Sequence, residues 1–155
     1  MPNETTSTDI RTTLTTYLAV HDAAAAIAFY IDAFGAQEEL RMSEPNGRVG
    51  HAEISIGDVR IFLADEHPEI GVLSPTTLGG SPVNLMLRVA DVDSTFAQAV
   101  TAGATVLRPV EDAFYGERTG MVLDPFGHRW SISTPIEDVS REEMQRRVGG
   151  AYDVT

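Results

Sequence analysis

His51 and Glu53 are the side chains of this sequence whose types and spacing best suit chemistry. Residues i and i+2 of an extended strand project from one face, so the imidazole and the carboxylate stand side by side. A histidine changes charge near neutral pH, and a neighbouring carboxylate orients the ring or balances its proton, which is the make-up of a general base. Joined by Arg60 of the following predicted strand, the same two residues equally make a structural ion-pair network. A second group is Tyr115-Gly116-Glu117-Arg118. Its glycine suits a segment that closes over a ligand, and its guanidinium suits two-pronged binding of a carboxylate or phosphate. A structural pair of Arg118 with Glu117 or Asp124 is the alternative. Phe114 and Tyr115 suit either stacking on a planar ligand or packing at a cavity mouth.

Other chemistries drop out. The chain has no cysteine, hence no disulfide, no thiolate nucleophile and no Cys-based metal site. His51 and Glu53 are two ligands with no evident third, too few for a metal of their own. No Ser-His-Asp arrangement or dinucleotide fingerprint is present, and Gly79-Gly80 lacks the strand-to-helix context of a phosphate loop. A net charge of −12 opposes nucleic-acid binding. The same charge suits cationic ligands, or serves only as a solvated acidic surface. No apolar run approaches the length of about 18 residues that spans a membrane. The polar first residues do not read as an export signal, so the cytoplasm is the expected location.

The elements that must position these residues follow from periodicity. After a tail over residues 1–12, residues 14–20 alternate as a strand, with Leu14, Thr16, Leu18 and Val20 on one face. Asp22 caps a helix that carries Ile27, Tyr30, Ile31 and Phe34 at helical spacing and stops at Gly35. Strands are predicted over 37–42, 49–56 and 59–64. In the second of these, Val49, His51, Glu53 and Ser55 share a face. Residues 65–81 read as a linker or a loop over a cleft. Strand 83–89, a helix from Asp91–Asp93 to Ala102, and strands 104–110, 118–123 and 128–134 then repeat the order. Phe29…Gly35-Ala36 and Phe96…Gly103-Ala104 recur at similar places, which suggests a duplicated βαβββ module. The modules span 13–66 and 82–135, joined by 67–81 within one domain. Residues 136–155 add a helix capped by Ser140 with Glu143 completing a capping box.

The segment Asp124-Pro125-Phe126-Gly127-His128-Arg129-Trp130, with Phe29-Tyr30-x-x-Ala33-Phe34-Gly35-Ala36 and Phe114-Tyr115-Gly116-Glu117-Arg118, resembles the vicinal oxygen chelate superfamily. That superfamily includes glyoxalases, extradiol dioxygenases and bleomycin-resistance proteins, and the match resembles its PhnB-like branch. The resemblance covers about residues 14–135. It implies an α+β fold in which two tandem βαβββ modules form a curled mixed sheet round a cavity, and chains that pair as homodimers. It also implies four metal-binding positions, which here hold Thr15, Phe62, Asn84 and Ser131. Phenylalanine ligates nothing, and neutral amide and hydroxyl oxygens replace imidazole and carboxylate poorly. The usual metal site is therefore expected to be absent, and no cofactor is expected.

If Phe62 and Ser131 face the cavity, alternation brings Thr15, Tyr17, His51, Glu53, Arg60, Asn84, Met86, Arg129 and Ser133 to the same side, while His128 points toward the helices beside a core Trp130. The expected ligand site comprises Tyr17, Arg60, Phe62, Asn84, Met86, Tyr115, Arg118 and Ser131. Three functions fit. The first is metal-free binding of a small organic molecule, for which resemblance to the bleomycin-resistance proteins suggests a cationic drug. The second is a metal-independent isomerase or lyase with His51 as base and Arg118 or Arg60 holding an anion. The third is a scaffold that binds another protein.

Overall fold

The computed structural model describes residues 10–155. Most of the expected tail, residues 1–9, lies outside them. The chain runs β1 (Thr16–Val20), α1 (Ala23–Phe34), β2 (Gln37–Ser43), β3 (Val49–Ile56) and β4 (Val59–Asp65). A short 3-10 turn at Pro68–Ile70 and α2 (Pro75–Leu78) follow. The order then repeats as β5 (Asn84–Arg88), α3 (Val92–Ala102), β6 (Thr105–Asp112), β7 (Glu117–Leu123) and β8 (Arg129–Pro135), before α4 (Arg141–Val148). This is an α+β fold of two βαβββ modules with a C-terminal helix.

Each module makes its own mixed four-stranded sheet, ordered β1-β4-β3-β2 and β5-β8-β7-β6. The first strand lies parallel to the fourth in both, and the other pairings are antiparallel. Both long helices start as expected: the Asp22 and Asp91 carboxylates accept from the amides of Ala25 and Ser94. Gly35 ends α1 at a φ of +67°, where a side chain would be strained. α1 and α3 pack on each other between the sheets, joined by a hydrogen bond from Gln98 Nε2 to Asp32 O at 2.6 Å. Each sheet therefore turns one face to the helices and leaves the other open, and the two open faces look away from each other.

The mostly aliphatic core between the sheets carries an aromatic cluster. Tyr30 stacks on Phe34, and the Phe34 and Trp130 rings lie 4.8 Å apart. At its centre is Asp124, buried in the turn before β8. It accepts hydrogen bonds from the Tyr30 hydroxyl, the Trp130 indole and the amides of Phe126 and His128. The neighbouring His128 lies on the helix side, within 3.0 Å of Ala19 O through Nε2, as its alternation requires. Asp124 is thus engaged with the core and is no partner for Arg118.

Several boundaries differ from the periodic reading. The first strand starts at Thr16, and Leu14 ahead of it is 98% exposed. Ile31 stays exposed on α1. Val49 leaves the face of His51, because a register shift between Met42 and Ser43 turns it into the core. β6 continues to Asp112, two residues past the end expected at Val110. Ser140 caps α4 through Glu143 N, but the Glu143 carboxylate bonds Arg146 and Arg147 instead of closing a capping box. No described helix is long and apolar enough to cross a membrane.

Candidate functional site

On the open face of the first sheet, Tyr17, His51, Glu53 and Arg60 form one chain of hydrogen bonds. Tyr17 Oη lies 2.7 Å from His51 Nδ1, His51 Nε2 lies 3.2 Å from Glu53 Oε1, and Arg60 Nη1 donates to Glu53 Oε2 at 3.1 Å. The strands dictate this grouping. His51 and Glu53 alternate along β3, and the registers pair Tyr17 with Phe62 across β1–β4 and Glu53 with Phe62 across β3–β4. Phe62 sets its ring edge-on to Tyr17 and His51, at 5.8 and 5.0 Å. A carboxylate only accepts, so His51 donates through Nε2, and in the neutral ring Nδ1 then accepts the Tyr17 proton. Partial burial raises the Tyr17 pKa above its usual value. Tyr17, Ala19, Ala64, His67 and Ile70 line an apolar hollow of about 410 Å³ beside this chain.

The open face of the second sheet holds a larger cleft of about 490 Å³. Met86, Ser131 and Met121 form one row across β5, β8 and β7. Asn84 Nδ2 donates to Ser131 Oγ at 2.8 Å, and Phe114 and Tyr115, edge to face at 5.2 Å, wall one end. Arg108 of β6 lines it too, opposite Met121. Periodicity had not singled out Arg108 or Met121. Both lie on strands whose alternation places them on this face, and a register shift on each side of Arg108 hides the pattern.

Of the sequence-predicted residues, Tyr17, His51, Glu53, Arg60 and Phe62 come together on one face, and Asn84, Met86, Tyr115 and Ser131 on the other. Arg118 joins neither. It points to the helix side, grips Asp93 of α3 at 2.8 and 2.9 Å, and donates to Asp112 at 3.0 Å. These hydrogen bonds raise its pKa and lower that of Asp93.

The turn through Gly116 is fastened rather than free. Gly116 O accepts from the amides of Ile136 and Glu137, and Phe114 O accepts from Arg147 Nη1 at 2.9 Å. A Cβ on Gly116 would overlap Glu137 O. The C-terminal segment therefore sets the position of the aromatic wall.

The four positions that the fold family would use for a metal do not offer a fitting donor set. Thr15 precedes β1, Phe62 has no donor atom, and Asn84 and Ser131 offer only neutral amide and hydroxyl oxygens. Among the described residues no three His, Asp or Glu side chains are grouped to hold a metal elsewhere.

A family model described as the Glyoxalase/Bleomycin resistance protein/Dioxygenase superfamily matches residues 11–132. An uncharacterized protein of Mycobacterium tuberculosis is 40% identical over 153 residues, covering 97% of this chain and 90% of its own. Among solved structures, a gene product of Arabidopsis thaliana is 28% identical with a TM-score of 0.65, covering 80% of this chain and 99% of that one. TioX from Micromonospora sp. ML1 is 24% identical with a TM-score of 0.64, covering 81% and 100%, a likeness of fold.

Proposed function

We propose, from the premise that this chain belongs to the Glyoxalase/Bleomycin resistance protein/Dioxygenase superfamily, that it binds a small organic molecule on the open sheet faces without a divalent metal. The observation that carries this reading is the cleft of about 490 Å³ on the second sheet. Met86 and Met121 give it an adaptable apolar floor, Phe114 and Tyr115 an aromatic wall, and Asn84–Ser131 a polar point in the floor. Ser131 and Asn84 occupy positions where the family would place metal ligands, and they bond each other instead. The Phe114–Arg118 and Asp124–Trp130 segments support placement in the PhnB-like branch.

A second copy of the chain completes the site in this reading. The open faces expose Tyr17, Leu40, Met42, Met86 and Phe114, more apolar surface than a lone chain leaves to water without purpose. Met86→Glu tests the cleft, since the residue is 71% exposed and a charge there leaves folding intact. The neutral fluorescent aromatic phenylnaphthylamine should lose binding to the variant. Undiminished binding with an unchanged circular dichroism spectrum rules the cleft out.

The Tyr17–His51–Glu53 chain supports a second reading, a metal-independent isomerase or lyase in which His51 is the base. Its tyrosine end is half exposed to the neighbouring hollow, so a proton passes to or from substrate by way of Tyr17 or in its place. His51→Gln should then abolish turnover in a folded protein. A variant that is only less stable assigns His51 to structure.

A further inference from the structure

The ligand's charge is written in the arginines, although the net charge of −12 points the other way. All the basic side chains here are arginine, and Arg41, Arg48, Arg60, Arg88, Arg118, Arg146 and Arg147 are neutralised in ion pairs. Among the described residues Arg11, Arg108, Arg129 and Arg141 make none. Two of these four stand on one face, the open face of the second sheet. Arg108 lies opposite Met121 on β7, and Arg129 opposite Leu123 on the same strand, one row along. With strands about 4.8 Å apart and residues i and i+2 about 6.6 Å apart, the two Cα atoms are separated by roughly 12 Å. Two arginine side chains span that distance from either side of one small anion.

The Arg129 side chain leans toward that row. Arg129 Nη2 lies 3.4 Å from Met121 Sδ, so its guanidinium crosses toward the row of Arg108. A thioether is a weak acceptor, and it leaves the fork of guanidinium donors without a strong partner. A planar carboxylate or another oxyanion is the partner such forks bind best. Glu111, which lines the same cleft near Phe114, repels an anion from that end and so sets the ligand's direction.

We propose that the cleft of the second module takes an organic acid. Its acidic group sits between Arg108 and Arg129, and its planar apolar body lies along Met121 and Met86 toward Phe114. The inference rests on the small-molecule reading above and reverses the sign of ligand that the net charge suggests. An acidic surface repels anions at long range, yet screening confines that repulsion to about 8–10 Å at ordinary salt, while contact with two guanidinium groups is made at the edge of the cleft, which Arg108 lines and Arg129 reaches through Met121.

The test compares two probes that differ in charge, anilinonaphthalene sulfonate and neutral phenylnaphthylamine, by fluorescence titration of the full chain. The wild-type protein should bind the sulfonate about tenfold or more tighter than the neutral probe. The double variant Arg108→Gln, Arg129→Gln should lose that preference and keep its affinity for the neutral probe, and Arg108→Lys with Arg129→Lys should restore part of it. Equal affinities in the wild type, or a preference that survives in the glutamine variant, overturn the inference and leave the small-molecule reading standing. Failure of both probes to bind overturns that reading, and the inference with it.

Discussion

Asp124 is a carboxylate only 3% exposed that accepts four hydrogen bonds, two from side chains of the aromatic core and two from its own turn. Burial alone disfavours a charge, and here four donors offset the desolvation. Burial first, and then the charge of Asp124, push the Tyr30 pKa well above its usual value, which keeps the phenol protonated and donating. Asp124→Asn replaces an acceptor-only group by one whose amide faces donors that have no other partner. The expected cost is about 3 kcal/mol or more, which for a chain of this size lowers the melting temperature by roughly 6–12 °C. Thermal unfolding followed by circular dichroism measures it, and a shift within a degree of the wild type contradicts this account of the core. At the same scale, Asp124 was legible in the sequence as a turn residue but not as the hub of the core. Its partner Tyr30 lies 94 positions away, and no local period encodes such a contact.

α4 owes its place to charges as much as to its cap. Arg147 bridges Glu137 and Glu143 and reaches Phe114 O, so one guanidinium ties the helix to the aromatic wall of the cleft. Hydrogen bonds from Arg146 and Arg147 bring the Glu143 pKa down to about 2, and Arg147 lowers that of Glu137. A carboxylate with a depressed folded-state pKa stabilises fully above its unfolded value and loses that contribution as pH falls through the folded value. The NMR amide signals of residues 141–148 should therefore move toward coil positions between about pH 4.5 and pH 2, ahead of any change in α1. Signals that stay in place to pH 2, or that move near neutrality, contradict the clamp. The three longer helices, their N-caps and all eight strands were readable to within two residues, because their periods and stop residues are local, whereas α2 lay hidden in the stretch read as a linker. The pinned turn was not. From its glycine it read as a segment free to close, and the long-range contact with Glu137 decided otherwise.

At the scale of the whole molecule, the fold turns its two candidate faces outward, and each bears apolar side chains that a partner would cover. Sedimentation equilibrium should give twice the 16.8 kDa of one chain; a monomer at micromolar concentration contradicts the pairing. Alternation along strands made both faces legible in advance, placing His51 with Glu53 and Met86 with Ser131. It did not separate them onto opposite sides of the helices, since that follows from how α1 and α3 pack. If the open-face cleft binds a small molecule without metal, a phenylnaphthylamine titration before and after exhaustive chelation should give one affinity throughout, unchanged when zinc, nickel or manganese is added back. Binding that vanishes on chelation and returns with one equivalent of metal would contradict it.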